Sequence, residues 1–249
     1  MDKELVRRDL ARSRGEAQAL IEEGRVVVKG IPTPKPSTMV ARDTAIVLES
    51  DERRWVSRGA HKLLAALETF PVKVDARRAI DVGSSTGGFT EVLLDSGAMT
   101  VVSLDVGRGQ LHERLRSDGR VTSMERTDVR DADPHTLGAP FDVVVADLSF
   151  ISLCSVAGAL ARLARDDADF VLLIKPQFES ERGKVGKGGI VRDPSVREDA
   201  VAKVVACLSA AGIQAQRIIE SPLQGADGNV EYLLWARMDR PPVSIEVSE

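Results

Sequence analysis

Only two of the 249 residues are cysteine, Cys154 and Cys207, and both fall in apolar helical patterns far from any histidine cluster. That excludes a disulfide scaffold and a cysteine-based metal site as first expectations, and both side chains read as buried free thiols. Long apolar runs are missing too. The stretch from Phe170 to Ile174 is strand-sized, whereas a membrane-spanning helix needs roughly 20 apolar residues. The N-terminus is charged from Asp2 onward and lacks an apolar signal segment. There is no internal repeat and no low-complexity tract. These absences leave a cytosolic, metal-free, monomeric globular protein as the expectation, with length enough for one large domain and a small one.

An excess of positive charge is also lacking, at 34 Lys/Arg against 38 Asp/Glu. The balance changes once the chain is divided. Residues 1–62 hold 13 basic against 10 acidic side chains, and the remainder 21 against 28. The small N-terminal part is locally basic, which by itself fits either a solvated surface or a nucleic-acid contact.

What the chain does have is a glycine loop between a strand and a helix. Arg78-Ala79-Ile80 reads as a buried strand, Asp81-Val82-Gly83-Ser84-Ser85-Thr86-Gly87-Gly88 as a tight turn, and Phe89 to Leu94 as a helix stopped at Gly97. The glycines are not in the Gly-x-Gly-x-x-Gly spacing that admits a pyrophosphate, and Asp81 precedes them. A carboxylate at a strand tip repels phosphate but suits an amino-bearing ligand such as S-adenosylmethionine. The next strand, Val101 to Leu104, ends at Asp105 followed by Val106, a carboxylate placed to grip a ribose diol. Val121 to Met124 is a third strand, followed by Asp128 and Val129 where such folds meet an adenine ring. A glycine turn after a strand is often only a turn; acids ending two successive strands favour the methyl-donor reading. The candidate cofactor residues are thus Asp81, Gly83, Ser84, Thr86, Gly87, Gly88, Phe89, Asp105, Val106, Asp128, Val129 and Asp147.

Phe141 to Asp147 and Phe170 to Lys175 are apolar runs of buried parallel strands, each ending in a charge. A helix over Ser195 to Ala211, a strand over Ala215 to Ile219 and a last strand over Val230 to Ala236 complete a doubly wound α/β sheet. Ligands bind outside the carboxyl ends of such strands, so Asp81, Asp105, Asp147 and Lys175 are expected on one edge. Ser57 is expected to cap a helix carrying Leu63, Leu64, Leu67 and Phe70 inward, with Lys62 beside that stripe.

In residues 1–52, Glu4 to Leu10 reads as a short helix, and Ser13-Arg14-Gly15-Glu16 as a capping box opening a second that Gly24 ends. Arg25 to Gly30 and Ala45 to Leu48 are strands around a loop with Pro32, Pro34 and Pro36. Leu10-Ala11-Arg12-Ser13-Arg14, Ala17, Leu20-Ile21, Gly24 and Val26-Val27-Val28-Lys29-Gly30 resemble the S4 RNA-binding domain. Arg12 and Arg14 sit where cations oppose the helix dipole, which favours a phosphate role; Lys29 and Lys35 extend that face. Residues 53–56 form a linker whose Trp55 either docks on a domain or stacks on a base.

Ser57-Arg58 with Lys62-Leu63, Asp147-Leu148-Ser149-Phe150, Lys175-Pro176-Gln177-Phe178-Glu179 and Gly228-Asn229-Val230-Glu231-Tyr232 resemble the Lys-Asp-Lys-Glu tetrad of FtsJ-type ribose 2′-O-methyltransferases. With the S4-like start, the chain from about Asp2 to Met238 resembles the TlyA (hemolysin A) family of ribosomal RNA methyltransferases. The resemblance implies a Rossmann-like seven-stranded α/β methyltransferase domain over 57–238, its seventh strand antiparallel so that Glu231 starts at the carboxyl edge. It also implies S-adenosylmethionine as cofactor, 2′-O-methylation of cytidines in 16S and 23S ribosomal RNA, and sensitivity to capreomycin-type antibiotics. Lys62, Asp147, Lys175 and Glu231 would be catalytic: Lys175 as base, Lys62 lowering its pKa and fixing the 2′-oxygen, the two acids orienting the lysines. Arg58, Lys184 and Lys187 would reach RNA, the last two from a Gly- and Lys-rich flap over 179–189 that either closes over RNA or is simply mobile. A non-catalytic RNA-binding protein and a membrane-damaging protein are the other classes open. The polar tail 239–249 is expected to be disordered.

Overall fold

The computed structural model describes residues 1–239 apart from 9, 23, 29–30, 32–33, 42–43, 49–54, 187 and 226–227. The expectations for Lys29, Lys187, the first two linker residues and the tail from 240 fall outside the described residues. At the N-terminus, α1 (Asp2–Arg7) and α2 (Arg14–Glu22) pack on a two-stranded antiparallel ribbon, β1 (Val26–Val28) and β2 (Ile46–Leu48). Leu5, Ala17, Leu20, Ile21, Val26 and Val28 make a core of their own. Half of the capping box forms: the Glu16 amide donates to Ser13 Oγ (3.1 Å), whereas the Glu16 carboxylate accepts from the Arg12 amide (2.6 Å), one residue before the cap. α1 stops three residues short of the expected Leu10, where the Leu10 amide folds back to the Leu5 carbonyl (2.9 Å) and the Arg8 side chain donates to the Thr44 carbonyl (2.6 Å) across the module.

The rest is one seven-stranded sheet in the order β5-β4-β3-β6-β7-β9-β8. Its parallel strands are β3 (Arg78–Val82), β4 (Thr100–Asp105), β5 (Val121–Glu125), β6 (Phe141–Ala146) and β7 (Ala164–Ile174); β8 (Ile213–Glu220) is antiparallel to β9 (Tyr232–Met238), which is antiparallel to β7. Helices α3 (Ala60–Thr69) and α4 (Gly88–Asp95) cover one face with Leu63, Phe89, Val92 and Leu93. The other face carries α7 (Leu153–Leu163) and α9 (Pro194–Ala210), packed through Val156, Leu160, Val204 and Leu208. Short helices α5 (Glu113–Arg116), α6 (Pro134–Leu137) and α8 (Pro176–Glu179) fill connections.

This strand order has one consequence for function. After β3 the chain adds β4 and β5 on one side and then returns to add β6 on the other, so the loops leaving β3 and β6 diverge and open a crevice at their carboxyl ends. Tyr232 pairs with Ile174, so the antiparallel β9 begins where β7 ends and carries Glu231 to that same edge.

Three expectations need correction. Cys154 and Cys207 are not buried free thiols: both are half-exposed and joined in a disulfide across α7 and α9, their Cα atoms 5.2 Å apart. Fifty-three residues separate them, and only the docking of the two helices side by side on one sheet face reveals the proximity. Ser57 does not cap α3; Gly59 is the N-cap, with Ser57 contributing its carbonyl to the Ala60 amide (3.2 Å). β7 starts at Ala164, not Phe170, because a polar, bulged segment precedes the apolar run.

Candidate active site

The turn after β3 is held from below. The amides of Gly83 and Ser84 donate to the Leu104 carbonyl of β4 (2.8 and 3.2 Å), and Gly87 donates to the Ser84 carbonyl (2.7 Å). Gly83 has φ +84°, and a Cβ there would lie 2.8 Å from the Asp147 carbonyl oxygen. Both the backbone conformation and the approach of β6 therefore demand glycine. Gly83→Ala is expected to push the β3 turn away from Asp147 and to abolish cofactor binding; calorimetric titration of the variant with S-adenosylmethionine checks it.

Asp81 closes β3 and is fully buried. Its Oδ2 accepts from the Thr90 amide (2.8 Å) and hydroxyl (2.7 Å), but Oδ1 is buried without a partner. Burial pushes this carboxyl up to about 7, with the nearby Asp147 and Asp105 charges adding to the effect and the Thr90 bonds opposing it. A buried, unpaired carboxylate oxygen at a cavity wall is complementary to an ammonium group. The cavity it faces has a volume of about 260 Å³ and is walled by Ser57, Arg58, Lys62, Gly83, Ser84, Thr86, Gly88, Phe89, Asp147, Ser149 and Lys175. On the β4 side, Asp105 accepts from the amides of Ser85 (2.8 Å) and Gly107 (2.7 Å), which fixes its carboxylate beside a smaller recess reaching Ser84 and Gln110. These residues fit the amino-acid and ribose ends of S-adenosylmethionine.

At the same cavity, four charges meet. Lys62 is buried and donates to Glu231 Oε2 (2.6 Å), with Asp147 Oδ2 at 4.0 Å. Lys175, 8% exposed, lies 2.6 Å from Asp147 Oδ1 as an ion pair and donates its hydrogen bond to Ser149 Oγ (2.8 Å). Asp147 thus stands between two ammonium groups, one on each oxygen, and Glu231 balances the second. The four residues come from α3, the end of β6, the end of β7 and the start of β9.

Not every residue singled out in the sequence faces the cavity. Val106 is exposed and Val129 buried in the core. Asp128 is paired with Arg130 (2.5 Å), which holds its carboxyl below the usual range. Gly87, at φ +99°, forms the N-cap of α4. In the N-terminal module Arg12 and Lys35 are exposed, whereas Arg14 is tied to Asp2 (2.7 Å). Lys184 is exposed with Asp199 at 3.8 Å. Two contributors carried no role in the sequence reading. Ser149 was visible only as a neighbour of Asp147, and Phe150 is 92% exposed at φ +66° with its ring 5.2 Å from that of Phe178. A large exposed aromatic held in the left-handed region, next in sequence to a residue that lines the cavity, points to a function, but the backbone angle has no sequence signal. Among the described residues no three His, Cys, Asp or Glu side chains are grouped to hold a metal ion, and no helix is long and apolar enough to cross a membrane.

Residues 55–238 match the FtsJ-like methyltransferase family. The 16S/23S rRNA (cytidine-2′-O)-methyltransferase TlyA of Mycobacterium tuberculosis is 53% identical over 238 residues, covering 95% of this chain and 89% of that protein. Hemolysin A of Brachyspira hyodysenteriae is 38% identical, covering 89% and 92%. Among solved structures, a hemolysin candidate from Streptococcus thermophilus superposes with a TM-score of 0.77 at 37% identity, over 97% of this chain and 88% of the other. With the sheet order and the strand-edge charges, these similarities mean that the chain belongs to the TlyA (hemolysin A) family within the FtsJ-like methyltransferases.

Proposed function

We propose that the protein transfers a methyl group from S-adenosylmethionine to the 2′-hydroxyl of cytidines in ribosomal RNA, in the cytoplasm. The observation that carries this reading is the Lys62–Glu231 and Lys175–Asp147 cluster at the same cavity that the unpaired oxygen of Asp81 lines. Asp81 Oδ1 would hold the cofactor's amino group, the Gly83–Gly88 turn would admit its backbone, and Asp105 would take the ribose. When bound, the cofactor supplies an electrophilic methyl on a sulfonium.

The protein's own residues would do the rest. A ribose hydroxyl is a weak nucleophile until its proton leaves. Lys175 takes that proton once its amine is neutral, having first released the proton it carries beside Asp147, while Lys62 donates to the 2′-oxygen as charge builds on it. Asp147 and Glu231 hold the two lysines at fixed separation, and Ser149 sets the direction of the Lys175 amine. Most of the acceleration comes from placing oxygen and methyl in line. The Phe178 ring lies against Phe150, and its centre is 6.0 Å from the Lys175 amine.

Residues 1–52 are proposed as an S4-like RNA-binding domain and 57–238 as the methyltransferase domain. Arg12, Arg14, Lys29 and Lys35 of the former, with Arg58, Lys184 and Lys187 of the latter, would meet phosphates. Support comes from the relative named as a 16S/23S rRNA (cytidine-2′-O)-methyltransferase, which matches both parts. The test is to incubate purified ribosomal subunits with the protein and isotope-labelled S-adenosylmethionine and to analyse the digested nucleosides by mass spectrometry. Labelled 2′-O-methylcytidine is the expected product; label on a base, or none, sinks the reading.

A further inference from the structure

Glu179 is 3% exposed and has no part in the chemistry above. Its Oε2 accepts from the Ser152 hydroxyl (2.5 Å) and its Oε1 from the Leu153 amide (2.7 Å), at the first turn of α7. Its carbonyl accepts from Lys203 Nζ of α9 (2.7 Å). Both segments it joins already meet elsewhere. The stretch 147–153 supplies Asp147 and Ser149 to Lys175, and the stretch 175–179 supplies Lys175 itself. The two segments are therefore cross-linked twice, at Lys175 and again four residues later at Glu179.

We infer that Glu179 is a positioning residue that sets the distance of the Lys175 amine from Asp147 and Ser149. The physical argument is geometric. α8 spans Pro176–Glu179, is capped by Lys175, and is tied back by the Phe178 amide donating to the Lys175 carbonyl (2.9 Å). A rigid single turn with one end fixed on α7 leaves its other end little freedom. A carboxylate is suited to that anchor, because the amide and dipole at a helix N-terminus favour negative charge and the site is dry. Without Glu179 the α8 turn can rotate about its remaining links, and a shift of about 1 Å in a reacting group costs on the order of 100-fold in rate.

This inference rests on the reading of Lys175 as proton acceptor, and its test has a readout independent of turnover. Lysine-selective labelling followed by mass spectrometry compares Lys175 with Lys62, which Glu231 holds separately. In Glu179→Ala, labelling of Lys175 is expected to rise several-fold with Lys62 unchanged, and kcat to fall about 100-fold with little change in cofactor Kd. Glu179→Gln, which keeps an acceptor for Leu153 and a polar partner for Ser152, should recover most of both. Should Glu179→Ala fail to fold, Ser152→Ala removes one of the two side-chain links and is read in the same way. Unchanged Lys175 labelling, or Lys62 and Lys175 rising together as in general loosening, overturns the inference. If the variants show the labelling pattern but the wild-type protein methylates no RNA, the proposed reaction falls and the brace stands.

Discussion

Lys175→Ala is expected to abolish methyl transfer while leaving cofactor binding within a few-fold of wild type. General-base catalysis by one side chain contributes about 10²–10⁴-fold, and Lys175 is the amine placed against both Asp147 and Ser149 at the cavity wall. The cofactor-facing features, the Asp81 carboxylate and the glycine turn, are bonded to Thr90 and Leu104 and owe nothing to Lys175. Removing one partner of a buried ion pair destabilises the fold when it strands a charge. Asp147 is partly exposed and keeps Lys62 at 4.0 Å, so the variant should still fold, which a thermal melt verifies. Lys175→Arg separates charge from basicity: it retains the cation beside Asp147 but cannot accept a proton at working pH. It should therefore be as inactive as the alanine variant. Incorporation of labelled methyl into ribosomal RNA and titration with S-adenosylmethionine measure the two arms, and retained turnover in either variant rules out Lys175 as the base.

Much of this site is legible in the sequence because its parts sit at strand ends. Apolar runs closed by Asp81, Asp105, Asp147 and Lys175 announce both buried parallel strands and the edge at which their last residues gather. The antiparallel β9 and the arrival of Glu231 were legible only through family resemblance, since nothing in Tyr232 to Met238 states its direction. Details set by three-dimensional proximity stayed hidden. The pairing of Cys154 with Cys207 depends on how α7 and α9 cross, and the brace from Glu179 to Ser152 depends on α8 lying beside the α7 N-terminus. Phe150 looked like any apolar residue following a strand; its exposure follows from a positive φ that residue type does not encode. The pairing of Asp128 with Arg130, two residues away, is likewise set by the local turn and not by residue type.

Asp81→Asn is expected to strengthen the fold and weaken cofactor binding, two effects of opposite sign from one substitution. The folded chain holds this carboxyl up at about 7 against 3.8 for an ordinary aspartate. Between those values the folded state binds a proton that the unfolded state does not, so stability falls as pH rises from about 4 to 7. Above pH 7 the buried charge costs the fold on the order of a few kcal/mol. Asparagine carries no charge, and its oxygen still accepts both bonds from Thr90. The variant should thus gain stability over wild type at pH 8, worth several degrees in melting temperature for a chain of this size. The gain should shrink toward zero near pH 4. Binding changes in the other direction, because the atom that replaces the unpaired Oδ1 becomes an amide donor facing an ammonium. Loss of a charge-assisted hydrogen bond is worth about 1.5–3 kcal/mol, or roughly 10- to 150-fold in Kd. Wild-type affinity for S-adenosylmethionine should itself rise between pH 6 and 8 as Asp81 ionises, and that slope should vanish in the variant. Urea unfolding and calorimetric titration across that range check both arms. A variant that binds the cofactor as tightly as wild type would mean that the unpaired oxygen of Asp81 is not where the amino group sits, and one whose stability tracks wild type at every pH would mean that burial does not hold this carboxyl up.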